Sequence, residues 1–196
     1  KHVKLNKESY PFKNLAKNKG RSEDLLYLGC NFPAFYPETS KTLIELFKKN
    51  GFDFSIDCCK NPVASTGFKE EPSKSLEKQI EDLKIDRIVT ACPNCYHHMQ
   101  NKYKVKIISI FKWLDEYEYI KDIKNPCNVF FPCSDRYNKE IFTIIKKHAP
   151  KCNDKFVDTN CCGAGGLASK KEKEIAENMT DSIKNEEIYT YCATCS

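Results

Sequence analysis

The sequence predicts an α/β protein of two tandem, pseudo-symmetric modules, each a small, largely parallel sheet flanked by helices. Three observations predict it. Short apolar runs of strand character alternate with segments of helical periodicity along the chain. Ten of the twelve cysteines form one five-cysteine pattern used twice. The strand and helix candidates around those cysteines recur in the same order in both copies, as a duplicated module requires.

Leu25-Leu26-Tyr27-Leu28 is a strand candidate running into Cys30, and Val129-Phe130-Phe131 is its counterpart before Cys133. Thr42, Leu43, Leu46 and Phe47 have helical spacing and are stopped by Asn50-Gly51; Ile141, Phe142, Ile144 and Ile145 repeat the pattern and are stopped by Pro150. Phe52–Ile56 alternates as a strand and delivers Cys58-Cys59, and Phe156-Val157 delivers Cys161-Cys162 more weakly. After Pro72, Leu76, Ile80 and Leu83 mark a second helix, with its counterpart across Lys171–Ile183. Ile85–Ala91 and Ile188–Tyr191 are strands leading to Cys92-x-x-Cys95 and Cys192-x-x-Cys195. A helix (Tyr96–Lys102), a strand (Val105–Ile108) and a helix (Ile110–Tyr119) extend the first module. The predicted organisation is a basic arm or linker over residues 1–24, a first module over 25–127 and a second over 128–196. The boundary falls at the polar stretch Lys121–Asn128.

Composition excludes several classes. No apolar run approaches the roughly 18 residues of a membrane helix, so no bilayer span is expected. The net charge is +5, but residues 1–22 carry seven basic residues against Glu8. The basic excess therefore belongs to the arm, which reads as a surface linker, and nucleic acid is not an expected partner. No secretory segment is visible. With clustered cysteines this predicts a reducing, cytoplasmic setting, where such cysteines bind metal or do redox chemistry rather than form disulfides. The chain lacks an initiator Met and is expected to be part of a longer protein.

The repeat is arithmetical. Cys30 to Cys133, Cys58 to Cys161 and Cys59 to Cys162 are each 103 residues; Cys92 to Cys192 and Cys95 to Cys195 are each 100. Cys127 and Cys152 fall outside it and read as ordinary thiols. Cysteines that follow parallel strands lie at the carboxyl edge of the sheet, where open α/β sheets bind ligands. Thiolates favour iron–sulfur clusters, zinc or Cu(I). A tetrahedral zinc needs only four ligands, fewer than the five supplied here. Gly163, Gly165 and Gly166 would let backbone approach a bulky group closely. Cys92-Pro93-Asn94-Cys95 alone could be a redox pair, but the repeated Cys-Cys makes that the weaker account. His97, His98 and Lys60 stand near the first set. The histidines read as polar residues of a helix start and Lys60 as a solvated side chain. No glycine-rich phosphate loop precedes a helix.

Leu28-Gly29-Cys30, Asp57-Cys58-Cys59, Val89–Tyr96, Phe131-Pro132-Cys133 and Cys161-Cys162-Gly163-Ala164-Gly165-Gly166 resemble the motifs of the CCG (cysteine-rich) domain family. That family includes the B/D-type catalytic subunit of heterodisulfide reductase and the iron–sulfur subunits of glycolate, lactate and anaerobic glycerol-3-phosphate oxidoreductases. The resemblance covers about residues 25–196. It implies a noncubane 4Fe–4S cluster in each module, one on Cys30, Cys58, Cys59, Cys92 and Cys95, the other on Cys133, Cys161, Cys162, Cys192 and Cys195. Some relatives hold zinc in one module. Two departures stand out: Lys60 replaces the glycine after the first Cys-Cys, and Ser134 stands where many relatives have His. The implied activity is that of an iron–sulfur oxidoreductase subunit reducing a disulfide between two facing clusters, with no catalytic residue beyond them and with electrons from a flavin-containing or ferredoxin-like partner. The alternatives are an electron-transfer subunit of a flavin-dependent hydroxy-acid or glycerol-3-phosphate dehydrogenase, and a zinc-binding scaffold.

Overall fold

The computed structural model describes residues 23–65, 67–165 and 168–195. The basic arm over 1–22 and Gly166 thus lie outside the described residues. The chain forms two compact units, the first ending at Ile110 and the second beginning at Phe111.

The first unit is built on four parallel strands: β1 (Asp24–Tyr27), β2 (Asp53–Ser55), β3 (Arg87–Thr90) and β4 (Lys106–Ser109), in the order β2-β1-β3-β4. Between them run α1 (Asn31–Phe35), α2 (Pro37–Lys49), α3 (Asn61–Ala64), α4 (Lys74–Leu83) and α5 (Pro93–Met99). The central strands read as unbroken apolar runs because both faces are covered; Leu25, Leu26, Ile88 and Val89 expose nothing. Leu76 and Leu83 of α4 and Met99 of α5 pack on that sheet. Ser73 caps α4 through Oγ, which accepts from the Leu76 amide at 3.4 Å. At the amino edge Asp24 and Arg87 are register partners. The Arg87 guanidinium donates to both carboxylate oxygens of fully buried Asp24, at 2.6 and 2.7 Å.

The second unit opens with α6 (Ile110–Glu116), most of which lies in it, and holds three parallel strands. These are β5 (Cys127–Phe130), β6 (Cys152–Asp154) and β7 (Tyr189–Thr190), in the order β6-β5-β7. That order repeats β2-β1-β3 of the first unit, so the duplication seen in the cysteines is also one of topology. Helix α7 (Glu140–His148) follows β5 and packs with the aromatic core: Phe131 stacks on Phe156 at 4.4 Å and meets Phe142 at 4.9 Å.

Two expectations are corrected. Phe156-Val157 is not a strand. The strand lies earlier, as β6, and residues 155–157 turn as a 3-10 helix because Asp154 accepts a hydrogen bond from the Phe156 amide at 2.9 Å. The single helix expected across Lys171–Ile183 is broken into α8 (Ala168–Lys171), α9 (Lys173–Asn178) and a 3-10 turn over Asp181–Ile183. Glu172, with φ −132 and ψ 59, takes the chain out of helical geometry between the first two. Among the described residues no helix is long and apolar enough to cross a membrane.

Candidate metal centres

The patterned cysteines lie beyond the carboxyl ends of strands, most of them in the turn that follows, with Cys95 in the first turn of α5 and Cys161-Cys162 after the 3-10 turn that succeeds β6. β1 ends three residues before Cys30, β2 three before Cys58, and β3 two before Cys92. Strand order then decides which loops are neighbours. With β1 between β2 and β3, the loops bearing Cys30, Cys58-Cys59 and Cys92–Cys95 share one edge, although they span 66 residues of sequence, from 30 to 95.

In the first unit these sulfurs form a chain of contacts. Cys30 and Cys58 share a hydrogen bond at 3.9 Å. Cys58 bonds Cys59, Cys59 bonds Cys95, and Cys95 bonds Cys92. Sharing protons among buried sulfurs pushes the thiols up. Cys59 is raised to about 12, chiefly by its bond to Cys58. Cys30 rises through Cys58 and burial, and Cys95 through Cys59 and Cys92 and burial.

The second unit gathers its set differently. Cys162 and Cys195 lie 3.2 Å apart, and Cys195 also bonds Cys192. The Cys195 thiol is pushed up by its contacts with Cys162 and Cys192, while the same contacts hold Cys162 down at about 6 and Cys192 at about 7. Backbone amides add to the effect: Ala164 and Gly165 donate to Cys162, and Thr194 to Cys192. Cys133 is exposed, and its thiol is raised by desolvation and by Cys161, Cys192 and Cys162. A cavity of about 300 Å³ opens against Cys162 and Cys195, with Thr159, Thr180 and Thr190 in its wall.

The turn after each Cys-Cys is built alike. Lys60 and Gly163 occupy equivalent positions, both in the left-handed region, with φ 62 and 69. Each donates its amide to the sulfur two residues earlier, Cys58 or Cys161, at 3.4 Å. The left-handed turn aims the amide back at the sulfur, and glycine adopts it without strain. Lys60 tolerates it and reaches with Nζ to the Glu71 carbonyl at 3.1 Å. Gly163 has less room: an added Cβ would sit 2.6 Å from the Ala176 carbonyl oxygen. Gly29, with φ +69, has the corresponding intimacy with its own site, since a Cβ there would meet Cys95 Sγ at 2.9 Å.

Several residues around the sulfurs were not legible as functional. The Tyr27 hydroxyl is fully buried without a hydrogen-bond partner, close enough to Cys95, Cys59 and Cys58 for their charges to act on it. Ser134 Oγ, beside Cys133, is likewise buried and unpartnered. Buried polar atoms are rarely left so, and these two adjoin the sulfur sets. His98 lies beside the first set, its Nε2 2.8 Å from Glu70 Oε2, with Lys102 paired to the same carboxylate. Cys127 and Cys152 stand apart from both sets. Among the described residues no group of three or more Cys, His, Asp or Glu side chains is drawn together as a single-ion site; the sulfurs pack on one another as thiols. Five soft donors per edge, amides aimed at sulfur and unpaired hydroxyls beside them fit a sulfur-ligated polynuclear group.

A duplicated α/β unit with five thiols at each sheet edge defines a cysteine-rich domain protein. The chain belongs to the Cysteine-rich domain (CCG) family, whose profile matches residues 25–100 and 124–196. It is similar to an uncharacterized iron-sulfur protein of Methanococcus maripaludis, 27% identical over 199 residues, covering 86% of this chain and 39% of that protein. It is also similar to an uncharacterized iron-sulfur protein of Methanocaldococcus jannaschii, 25% identical over 178 residues, covering 83% of this chain and 36% of that one. The chain thus spans less than two fifths of the length of these relatives. A glutamate racemase isoform of Bacillus anthracis aligns over 90% of this chain and 70% of its own with a TM-score of 0.45 and 9% identity, too slight a likeness to bear on fold or function.

Proposed function

We propose that this chain is the iron–sulfur portion of a redox enzyme that reduces a disulfide. Cys30, Cys58, Cys59, Cys92 and Cys95 would hold one noncubane 4Fe–4S cluster, and Cys133, Cys161, Cys162, Cys192 and Cys195 a second. The observation that carries this reading is the duplicated convergence of five sulfurs at the carboxyl edges of two sheets with the same strand order. The naming of two relatives as iron-sulfur proteins supports it. Bound clusters would supply one-electron steps. The chain's own part is to hold ten soft donors, to donate the Lys60 and Gly163 amides to ligand sulfur, and to offer the Tyr27 and Ser134 hydroxyls to the same pockets. Amide bonds to sulfur stabilise the more negative state and raise the potential. The net reaction takes a disulfide, two electrons and two protons to two thiols, so two one-electron centres match its stoichiometry. The electrons would come from a flavin-containing or ferredoxin-like partner.

The test is metal and sulfide analysis of anaerobically purified protein, with EPR and turnover of a mixed thiol disulfide under a reduced donor. Expected are about eight irons per chain with matching labile sulfide, and donor oxidation only when the disulfide is present. Stoichiometric zinc without sulfide overturns the proposal. Clusters that reduce and reoxidise with no disulfide turnover reassign the chain to electron transfer.

A further inference from the structure

The two cysteines left out of the repeat are neighbours. Cys127 opens β5 and Cys152 opens β6, and the two are direct register partners in the parallel ladder. Adjacent strands stand about 4.8 Å apart, inside the roughly 4.4–6.8 Å Cα window that a disulfide requires. In-register residues of parallel strands project to the same face, and the Cys127 sulfur helps to raise the Cys152 thiol. The pair sits at the amino edge of the sheet. Three strand rises, about 10 Å, and the following loop separate it from the edge carrying Cys133.

Their surroundings differ. Cys152 is 2% exposed, and the Lys146 ammonium, which donates to its carbonyl, works against the burial that raises its thiol. Cys127 is half-buried and lines a cavity of about 760 Å³ whose walls include Phe111, Ile123, Val129 and Ile145, with the carboxylate residues Glu186 and Glu187. That volume suits a small organic ligand. The apolar walls favour an uncharged one, and Glu187 disfavours an anion, the Glu186 charge being paired with Lys155 at 2.9 Å.

We propose that Cys127 and Cys152 form a thiol–disulfide couple in the second unit, entered through Cys127 from this cavity and acting on uncharged, largely apolar disulfides. The Cys127 thiolate attacks one sulfur of R–S–S–R, forming a mixed disulfide and releasing one thiol. The Cys152 thiolate then attacks the Cys127 sulfur, expels the second thiol and closes the Cys127–Cys152 bond. R–S–S–R gains two electrons and two protons, and the two cysteines lose them. Exchange depends on the thiolate fraction and on access of the attacking thiol, which assigns entry to the cavity-lining residue. The couple needs neither cluster, so it stands whether or not the sulfur sets prove to hold iron.

The test uses the full chain, reduced and anaerobic, treated with bis(2-hydroxyethyl) disulfide and separately with oxidised glutathione, then alkylated and peptide-mapped. The expected result is a bridged Cys127–Cys152 peptide lighter by two hydrogens. It should form at least tenfold faster with the uncharged disulfide, at unchanged metal content. Cys152→Ser should stop at a mercaptoethanol adduct on Cys127, and Cys127→Ser should leave Cys152 unmodified. Full alkylation of both wild-type thiols after treatment overturns the proposal without recourse to a variant. An adduct on Cys152 in Cys127→Ser, formed at the wild-type rate, overturns the assignment of Cys127 as the entry thiol.

Discussion

The hydroxyl of Tyr191 donates a 2.8 Å hydrogen bond to Oδ2 of Asp135, a carboxylate with no exposed surface. Asp135 also accepts from the Phe142 amide at 2.9 Å and the Ile141 amide at 3.4 Å, and so anchors the first turn of α7. Because Asp135 lies two residues after Cys133 and Tyr191 immediately precedes Cys192, one carboxylate fixes two of the three cysteine-bearing loops of the second unit.

Tyr191→Phe is expected to cost about 1 kcal/mol, the net worth of one hydrogen bond. Asp135→Ala should cost more, about 3 kcal/mol, since it strands two amides as well. Denaturant unfolding measures both. Equal losses in the two variants would show that Asp135 matters only through Tyr191.

Gly163 and Lys60 occupy one backbone conformation in two packings, so they should respond oppositely to exchange. Gly163→Ala meets both the left-handed penalty, about 1–2 kcal/mol, and the Ala176 carbonyl, and should be destabilising by about 2–5 kcal/mol. Lys60→Gly should be neutral to within about 1 kcal/mol or stabilising. Thermal melts of both variants decide it, and a neutral Gly163→Ala would mean that α9 yields to the added methyl.

Ligand replacement should act unit by unit. Cys58→Ser or Cys59→Ser is expected to remove about half of the iron, and Cys161→Ser or Cys162→Ser the other half, because hydroxyl oxygen is a poor substitute for thiolate. Loss of nearly all iron in a single variant would refute two independent sites.

Tyr27→Phe removes a buried hydroxyl that has no protein partner. If that hydroxyl serves the group in the first site, the variant should keep its iron while one EPR-monitored midpoint falls by some tens of millivolts, the equivalent of a single hydrogen bond. An unchanged midpoint would leave the hydroxyl no role toward the group.

His148 is held between carboxylates, Nδ1 2.9 Å from Asp122 Oδ1 and Nε2 2.7 Å from Asp115 Oδ1, and its pKa is raised by Asp122 and then Asp115, with Lys147 opposing. The folded value exceeds the unfolded one of about 6.5. This contribution to stability is therefore complete below about pH 6.5 and is lost as pH rises through the folded value. Melting temperatures of wild type and His148→Gln should converge as pH rises above about 6.5. A gap that widens with pH would reverse the assignment.

The alternating elements were legible because they rest on local pattern, apolar runs such as Leu25–Leu28, and the duplication because a fixed offset between cysteines shows in the sequence alone. What escaped was non-local. Nothing in the spacing of Cys127 and Cys152 marks them as partners; only the register of β5 on β6 does. Asp135 and Tyr191 lie 56 residues apart, and the unpaired Tyr27 hydroxyl looks in sequence like any strand aromatic. Phe156-Val157 misled because aromatic and β-branched residues suit a strand, while a side-chain cap from Asp154, the last residue of β6, turned the chain first.

Strand order has a consequence for biosynthesis. The first sulfur set is finished when Cys95 is made, and the second only at Cys195, 100 residues later. At roughly 5–20 residues per second, the ribosome presents a complete first edge some 5–20 s before a complete second one. Both sheets must pair their outer strands around the central one before their sulfurs meet. Any group assembled during synthesis would therefore meet a nascent chain with one set of sulfurs complete and the other still being translated.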